Sequence, residues 1–390
     1  MLSGITKPYD EVAIKLNEWY SAIKKGEVTD AEFLKKDVKG LFDDMEENQT
    51  VLLYFALLEF RHRLMLSDLR PKLASKELHD IMEHIEDQRS KVQNSKGEMN
   101  QIDRMLEYYF WFFKGTHEFR KNQFDLALNC YKNAEKILED VEDSNEKGEF
   151  YYKLAEVYYH IDQYQISVKY ASKALGFFSE QPLMDEKIAW CYSVIAGNYL
   201  SKMQYDDALN YFNKSHSHAQ VTTNQYLITS TIFNLGKCYF HLDKFTEALT
   251  YFDTAVELFE KHEMRHVPKA YFNKLHTLLR LGQVGPATEA YQRGIAAAQE
   301  LGDKVYETEM QFLYHLYFHS NDSASASDMK KWLDVIQSQN LHEDVYELAI
   351  EAARYYNKSG QLENAVVFYE RADQARSLIQ RGELLNEIEK

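Results

Sequence analysis

A small side chain returns in the same context about every 40 residues, and a period of that length restricts the fold more than any single motif does. The context is Gln123-Phe124-Asp125-Leu126-Ala127, then Gln163-Tyr164-Gln165-Ile166-Ser167, Gln204-Tyr205-Asp206-Asp207-Ala208 and Lys244-Phe245-Thr246-Glu247-Ala248. Upstream of each recurrent small residue stands another: Gly115, Ala155, Ala196 and Gly236. Downstream follow Ala134, Ala174, Ser215 and Ala255, with Tyr131, Ala171, Phe212 and Phe252 in between. Small residues let two helices approach closely, and the mostly large position fills the space they leave. The pattern therefore describes helical hairpins stacked on one another.

The spacing is that of the tetratricopeptide motif, with the small residues at its positions 8, 20 and 27, the large one at 24, and Tyr158, Tyr199 and Tyr239 at position 11. The phase continues through Ala287, with Tyr291 and Gly294, and through Ala365, with Ala353, Tyr356, Tyr369 and Ala372. Those two lie about two periods apart, which places a degenerate unit near Ala326. Residues 104–390 thus read as a superhelix of about seven hairpins. The usual period is about 34, so helices or loops must be longer here. Such a scaffold binds peptides or proteins rather than metabolites.

Upstream the register is lost. Residues 1–70 read as a three-helix bundle, and 71–103 as a helical linker, which makes the whole chain all-α. The first helix runs from about Tyr9 to Lys25 with Val12, Leu16, Trp19, Tyr20 and Ile23 on one face, and Gly26 ends it. The second opens at Thr29 or Asp30 as an N-cap and carries Phe33, Leu34, Val38, Leu41 and Phe42. The third begins near Asn48 and carries Leu52, Leu53, Phe55, Leu57, Leu58, Phe60 and Leu64.

A formal charge of −16 argues against general affinity for nucleic acid or anionic membrane. Cys130, Cys191 and Cys238 are few and scattered, as expected in a reducing cytosol. No apolar run approaches a membrane span, and MLSGITKPYDEV lacks the character of a signal peptide, so a cytoplasmic location is expected. His262-Glu263-Met264-Arg265-His266 has the spacing of a zinc-protease string, but Pro268 follows at the start of the next predicted helix. The string then falls in a turn without the mid-helix frame a metal needs, and no metal site is assigned. No phosphate-binding loop, dinucleotide fingerprint or nucleophile elbow occurs.

Position 6 of a tetratricopeptide unit tends to face the groove, and it is Asn234 in the fourth unit and Asn273 in the fifth. An asparagine amide donates and accepts, so it can grip the backbone of an extended peptide. A pair of solvated amides is the plain alternative. Lys237 lies on the same surface, giving a mixed groove suited to a short polar or cationic peptide.

Met45-Glu46-Glu47-Asn48-Gln49, followed by Leu52-Leu53-Tyr54-Phe55 and Leu58-Glu59-Phe60-Arg61-His62, resembles the Rap family of response-regulator aspartate phosphatases and anti-activators. Asn17-Glu18-Trp19-Tyr20, Leu106-Glu107-Tyr108-Tyr109-Phe110 and Ile379-Gln380-Arg381-Gly382-Glu383 extend the likeness over essentially the whole chain. The resemblance implies a three-helix bundle, a linker and a tetratricopeptide superhelix. It also implies a catalytic glutamine at Gln49, which would place a water against the phospho-aspartate of a receiver domain whose own Mg²⁺ is already bound, so no cofactor of the chain's own is expected. Glu47, Asn48, Leu52 and Phe60 match positions that contact the regulator; many phosphatase members carry aspartate where Asn48 stands. Asn234 matches an asparagine that anchors an imported signalling peptide, and Glu309 matches a peptide-contacting glutamate. Ser201 replaces an aspartate that pairs with a cationic peptide side chain in several members.

Two mechanisms follow from the resemblance: a peptide-inhibited phosphatase in quorum sensing of the sporulation or competence kind, or a non-catalytic anti-activator that masks a regulator's DNA-binding surface. A peptide-sensing transcription factor is disfavoured, because the first 66 residues hold nine Lys or Arg against twelve Asp or Glu and no basic recognition helix. A generic co-chaperone would leave the bundle unexplained. Under the first mechanism, peptide binding is expected to tighten the superhelix and draw the bundle into the stack, away from the regulator.

Overall fold

The computed structural model describes residues 9–42, 45, 48–69, 75–95, 101–320, 325–339 and 341–388. Three helices come first: α1 (Tyr9–Lys25), α2 (Val28–Phe42) and α3 (Gln49–Leu69). The fourth, α4 (Ser75–Ser95), precedes seven hairpins: α5 (Gln101–Arg120) with α6 (Phe124–Glu135), α7 (Ser144–His160) with α8 (Tyr164–Ser179), and α9 (Asp185–Ser201) with α10 (Tyr205–Ala219). They continue as α11 (Gln225–His241) with α12 (Phe245–Lys261), α13 (Val267–Arg280) with α14 (Val284–Leu301), α15 (Lys304–Phe318) with α16 (Ser325–Gln337), and α17 (His342–Lys358) with α18 (Leu362–Ile388). The architecture is the all-helical one that the repeats imply, and α15–α16 is the degenerate unit expected near Ala326.

The hairpins pack as the motif demands. Ala127, Ser167, Ala208 and Ala248 are fully buried. A Cβ added to Gly115 would stand 2.6 Å from the Tyr131 ring, and one on Gly236 would stand 2.8 Å from Phe252. Both distances are shorter than any real contact, so position 8 must be bare in these two hairpins; in the third, Ala196 holds that position and packs in one cluster with Phe212. Each described turn inside a hairpin uses one residue of left-handed backbone just before its second helix: Asn122, Asp162, Met203, Asp243, Gly282 and Gly360. Asn, Asp and Gly tolerate that conformation, whereas Met203, at φ 58°, holds it against steric cost.

The chain divides into two compact units, Met1–Val157 and Tyr158–Lys390. In the first, α1 buries Val12, Leu16, Trp19 and Ile23, and Gly26 (φ 72°) closes it. The next helix starts at Val28 rather than after Thr29, because Ala31 N–H already bonds the Glu27 carbonyl at 2.9 Å. Its buried residues are Ala31 and Val38, whereas Phe33, counted above with the apolar stripe, is 69% exposed. Residues 75–95 of the expected linker form α4, which is pinned to α5: Lys114 bonds Glu86 at 2.7 Å, and the Arg89 guanidinium pairs with Glu107 and stacks 4.2 Å over Phe110.

In the second unit the repeats wind far enough to bring α17 back to α8, where the Tyr164 hydroxyl donates to Glu343 at 3.2 Å. The first helices of its hairpins line the resulting groove.

Candidate functional site

Two regions carry the residues singled out by sequence. The first is the amino-terminal edge of α3. Asn48 caps this helix: its amide oxygen accepts from Thr50 N–H at 3.0 Å and Val51 N–H at 3.2 Å, while its carbonyl accepts from Leu52 N–H at 3.0 Å. An aspartate would make the same bonds with a full charge, so asparagine keeps the cap and loses only the charge. Gln49 therefore opens the helix in a fixed position. It is half-buried, and its amide oxygen is shielded from solvent. Leu52 is also half-buried, and Glu47 lies outside the described residues.

Farther along α3 the surroundings change. Phe60 is fully buried, stacked on Phe113 of α5 at 6.2 Å and set edge-on to His117 at 5.9 Å. A contact with a partner is thus denied to Phe60 in this arrangement. What covers it is a docking of the bundle on α5 and the start of α7. Lys24 pairs with Asp143 at 2.8 Å, Tyr20 donates to Glu146, and Arg61 pairs with Glu149. Tyr20 also meets Tyr109 edge-on at 5.4 Å. Burial raises the Glu146 carboxyl, and the neighbouring Glu149 raises it further. Beneath the same face, the Trp19 indole donates to Nδ1 of His62, whose imidazole burial keeps neutral by lowering its pKa.

The second region is the groove of the second unit. Asn234 is half-buried on α11, and its amide hydrogen-bonds to no described side chain or backbone group. Asn273, at the same repeat position, differs: its amide donates to the Lys269 carbonyl one turn earlier at 2.9 Å, so its donor is partly spent within α13. Ser201 ends α9 beside the hydroxyls of Tyr159 and Tyr164. The Lys237 ammonium faces Glu347, Asp344 and Glu343 of α17, and these carboxylates outweigh burial to raise its pKa.

Glu309, on α15, is 2% exposed, with one carboxylate oxygen buried and without a hydrogen-bond partner among the described residues. Burial pushes its pKa well above the ordinary range, helped by repulsion from Asp344 and Glu347. Burial and Glu347 likewise push the Asp344 carboxyl up to about 6. Lys269 faces the same group, and burial together with Lys237 lowers its ammonium to about 8.

Sequence reasoning missed Lys269 and the acids of α17. A stripe was there to be read: Glu343, Asp344, Glu347 and Glu351 recur on one helical face, as do Lys269, Asn273, His276 and Arg280 on α13. The far end of these stripes is structural. Glu351 accepts from Arg280 at 3.2 Å and from Tyr317, with His276 at 3.6 Å. Burial alone would raise its carboxyl, but His276, Tyr317 and Arg280 hold it down at about 2. The histidines of the zinc-like string sit in the turn between α12 and α13, where Glu263 adopts a left-handed φ of 49°.

The amino-terminal family model that matches is that of response regulator aspartate phosphatase H, N terminal, over residues 6–67, and a tetratricopeptide model matches 230–262. Response regulator aspartate phosphatase A of Bacillus subtilis (strain 168) is 35% identical over 387 residues, covering 98% of this chain and 99% of that one. The chain belongs to the Rap family. Regulatory protein RapF of the same organism is 33% identical, over 96% of this chain and 97% of its own. A Rap protein crystallised with competence and sporulation factor superposes with a TM-score of 0.83 at 37% identity, over 96% of this chain and 99% of that one. Relatives are named for action on response regulators, and one is solved with competence and sporulation factor. No described helix is long and apolar enough to cross a membrane.

Proposed function

We propose that this chain is a cytoplasmic, peptide-inhibited regulator of a bacterial response regulator, and that it hydrolyses the phospho-aspartate of the receiver domain with Gln49 positioning the water. The observation that carries the reading is the Asn48 cap, which fixes Gln49 as the first residue of α3 within the segment matched by the family model. An acyl phosphate is labile, and the receiver's Mg²⁺ would hold its charge. The remaining task is orientation. Water attacks phosphorus in line, the bond to the aspartyl oxygen breaks, the carboxylate leaves, and the water's proton passes to phosphate. A glutamine amide accepts from the water and donates to the phosphoryl group without acting as a strong base. Leu52 and Asn48, with Glu47, would meet the receiver around it; no direct contact with nucleic acid is required.

The docked bundle is the silent arrangement in this reading, because Phe60 is covered and the Gln49 oxygen shielded. A short imported peptide held by Asn234, with Asn273, Lys237, Ser201 and Glu309 around it, favours docking. A second reading, anti-activation without hydrolysis, is favoured by the neutral Asn48 and by a relative named as a regulatory protein. The lifetime of phosphate on receivers captured from the native extract separates them. Shortening by the wild type but not by Gln49→Ala supports hydrolysis; an unchanged lifetime with wild type, despite binding, leaves anti-activation.

A further inference from the structure

Trp19 and His62 join α1 to α3 inside the bundle. The indole N–H of Trp19 donates to Nδ1 of His62 at 3.1 Å, the rings meet edge to face at 5.6 Å, and neither residue is more than 1% exposed. An indole nitrogen can only donate, so Nδ1 must offer its lone pair and the imidazole must be neutral. Its other nitrogen, Nε2, is buried without a hydrogen-bond partner among the described residues, and the half-exposed Glu32 of α2 stands 3.7 Å from it. A proton arriving at Nδ1 would set two N–H groups head to head in a buried site, which loses the hydrogen bond and strands a charge. The charged groups that act on the ring are Glu32 and Lys35 from α2 and Glu59 and Arg63 from α3 itself, while α1 presents the uncharged Trp19. Lys35 is paired with Glu59 at 2.8 Å. Two acids thus oppose two bases, and burial decides: the imidazole is held below its ordinary value of 6.5.

We propose that His62 is a proton-operated clasp in the bundle: neutral, it accepts from Trp19 and holds α1 on α3; protonated, it releases the indole and turns to Glu32. The folded bundle takes up this proton less readily than the unfolded chain does. The clasp's contribution to stability is therefore complete above pH 6.5 and declines as pH falls below it. The helix it holds is the one that Gln49 opens. The clasp is a property of the bundle and stands whether or not hydrolysis is the bundle's output.

The test is nuclear magnetic resonance of the full chain with nitrogen-15 in its 4 tryptophans, titrated from about pH 7.5 to about pH 5. Trp19→Phe identifies the signal by its loss. In the wild type the Trp19 indole N–H should move to the position of an unbonded indole, with a midpoint below 6.5. His62→Asn sets an amide oxygen about where Nδ1 stands, so it keeps the hydrogen bond but has nothing to protonate, and its Trp19 signal should stay flat. Glu32→Gln, at a half-exposed position that the fold tolerates, removes the carboxylate that favours the proton and should push the midpoint lower. A flat wild-type signal overturns the clasp, as does an equal titration in His62→Asn. A midpoint that Glu32→Gln leaves in place also overturns it, assigning the change to another group such as the buried His117 of α5, whose imidazole burial likewise lowers.

Discussion

The two units treat charge in opposite ways. Where the bundle meets α5 and α7, the carboxylates are engaged: Asp143 by Lys24, Glu149 by Arg61, and Glu146 by the Tyr20 hydroxyl. In the groove, Glu309 has a buried oxygen without a partner, and the Asn234 amide is uncommitted among the described residues. A satisfied set of charges holds an arrangement; an unsatisfied set waits for a ligand. In the proposed function the first unit serves as a latch and the second as a receptor.

The contrast breaks most visibly at Arg61. Arg61→Ala removes the ion pair with Glu149 next to the buried Glu146, and removing one partner of a buried pair costs about 3 kcal/mol. Urea unfolding of the full chain reads this as a loss in the transition of the first unit, and a loss below about 1 kcal/mol would mean the latch is ornamental. Next in size is the difference between two asparagines at one repeat position. Asn234→Ala should weaken binding of a cognate peptide by roughly 10- to 100-fold and Asn273→Ala by about threefold at most, measured by calorimetry, because the Asn273 donor already serves Lys269. Equal losses would erase the distinction.

A smaller effect sharpens the receptor half. The folded pKa of Asp344, about 6, lies above its unfolded value of about 4. The folded state binds the proton more tightly, so stability is greatest below the unfolded value and declines as pH rises through about 6. Asp344→Asn should therefore stabilise the ligand-free chain by about 1–2 kcal/mol at pH 7.5, and the gain should vanish near pH 4. Destabilisation at pH 7.5 would show that the carboxylate is satisfied after all.

Smallest is the turn before α10. Replacing Met203, in left-handed backbone, with glycine should raise stability by up to about 1 kcal/mol, visible as a higher Tm.

Much of the scaffold was legible because a repeat writes its packing into sequence. Gly115 facing Tyr131 and Gly236 facing Phe252 could be paired from spacing alone. The α1 boundaries followed from one apolar face and Gly26. Periodicity says which face is buried but not what covers it, and there the reading stopped. Phe60 lies against α5, and Phe33, equally apolar, is left in solvent. The latch joins residues 88 to 126 apart, a separation at which no local pattern survives. The groove was half legible: Asn234 and Lys237 came from repeat position, while the acids of α17 came into view only when α17 wound back beside α8.

Under the proposed function, paired charges hold the bundle against α5 and α7, and peptide strengthens the hold. Spin labels at Ile14→Cys on α1 and Lys132→Cys on α6 report it directly, since both positions are exposed and the three native cysteines are buried. Pulsed dipolar spectroscopy should show a narrow docked distance whose population rises with a bound cognate peptide and falls with Arg61→Ala. A distribution unchanged by both peptide and Arg61→Ala would mean that these ion pairs do not hold the bundle.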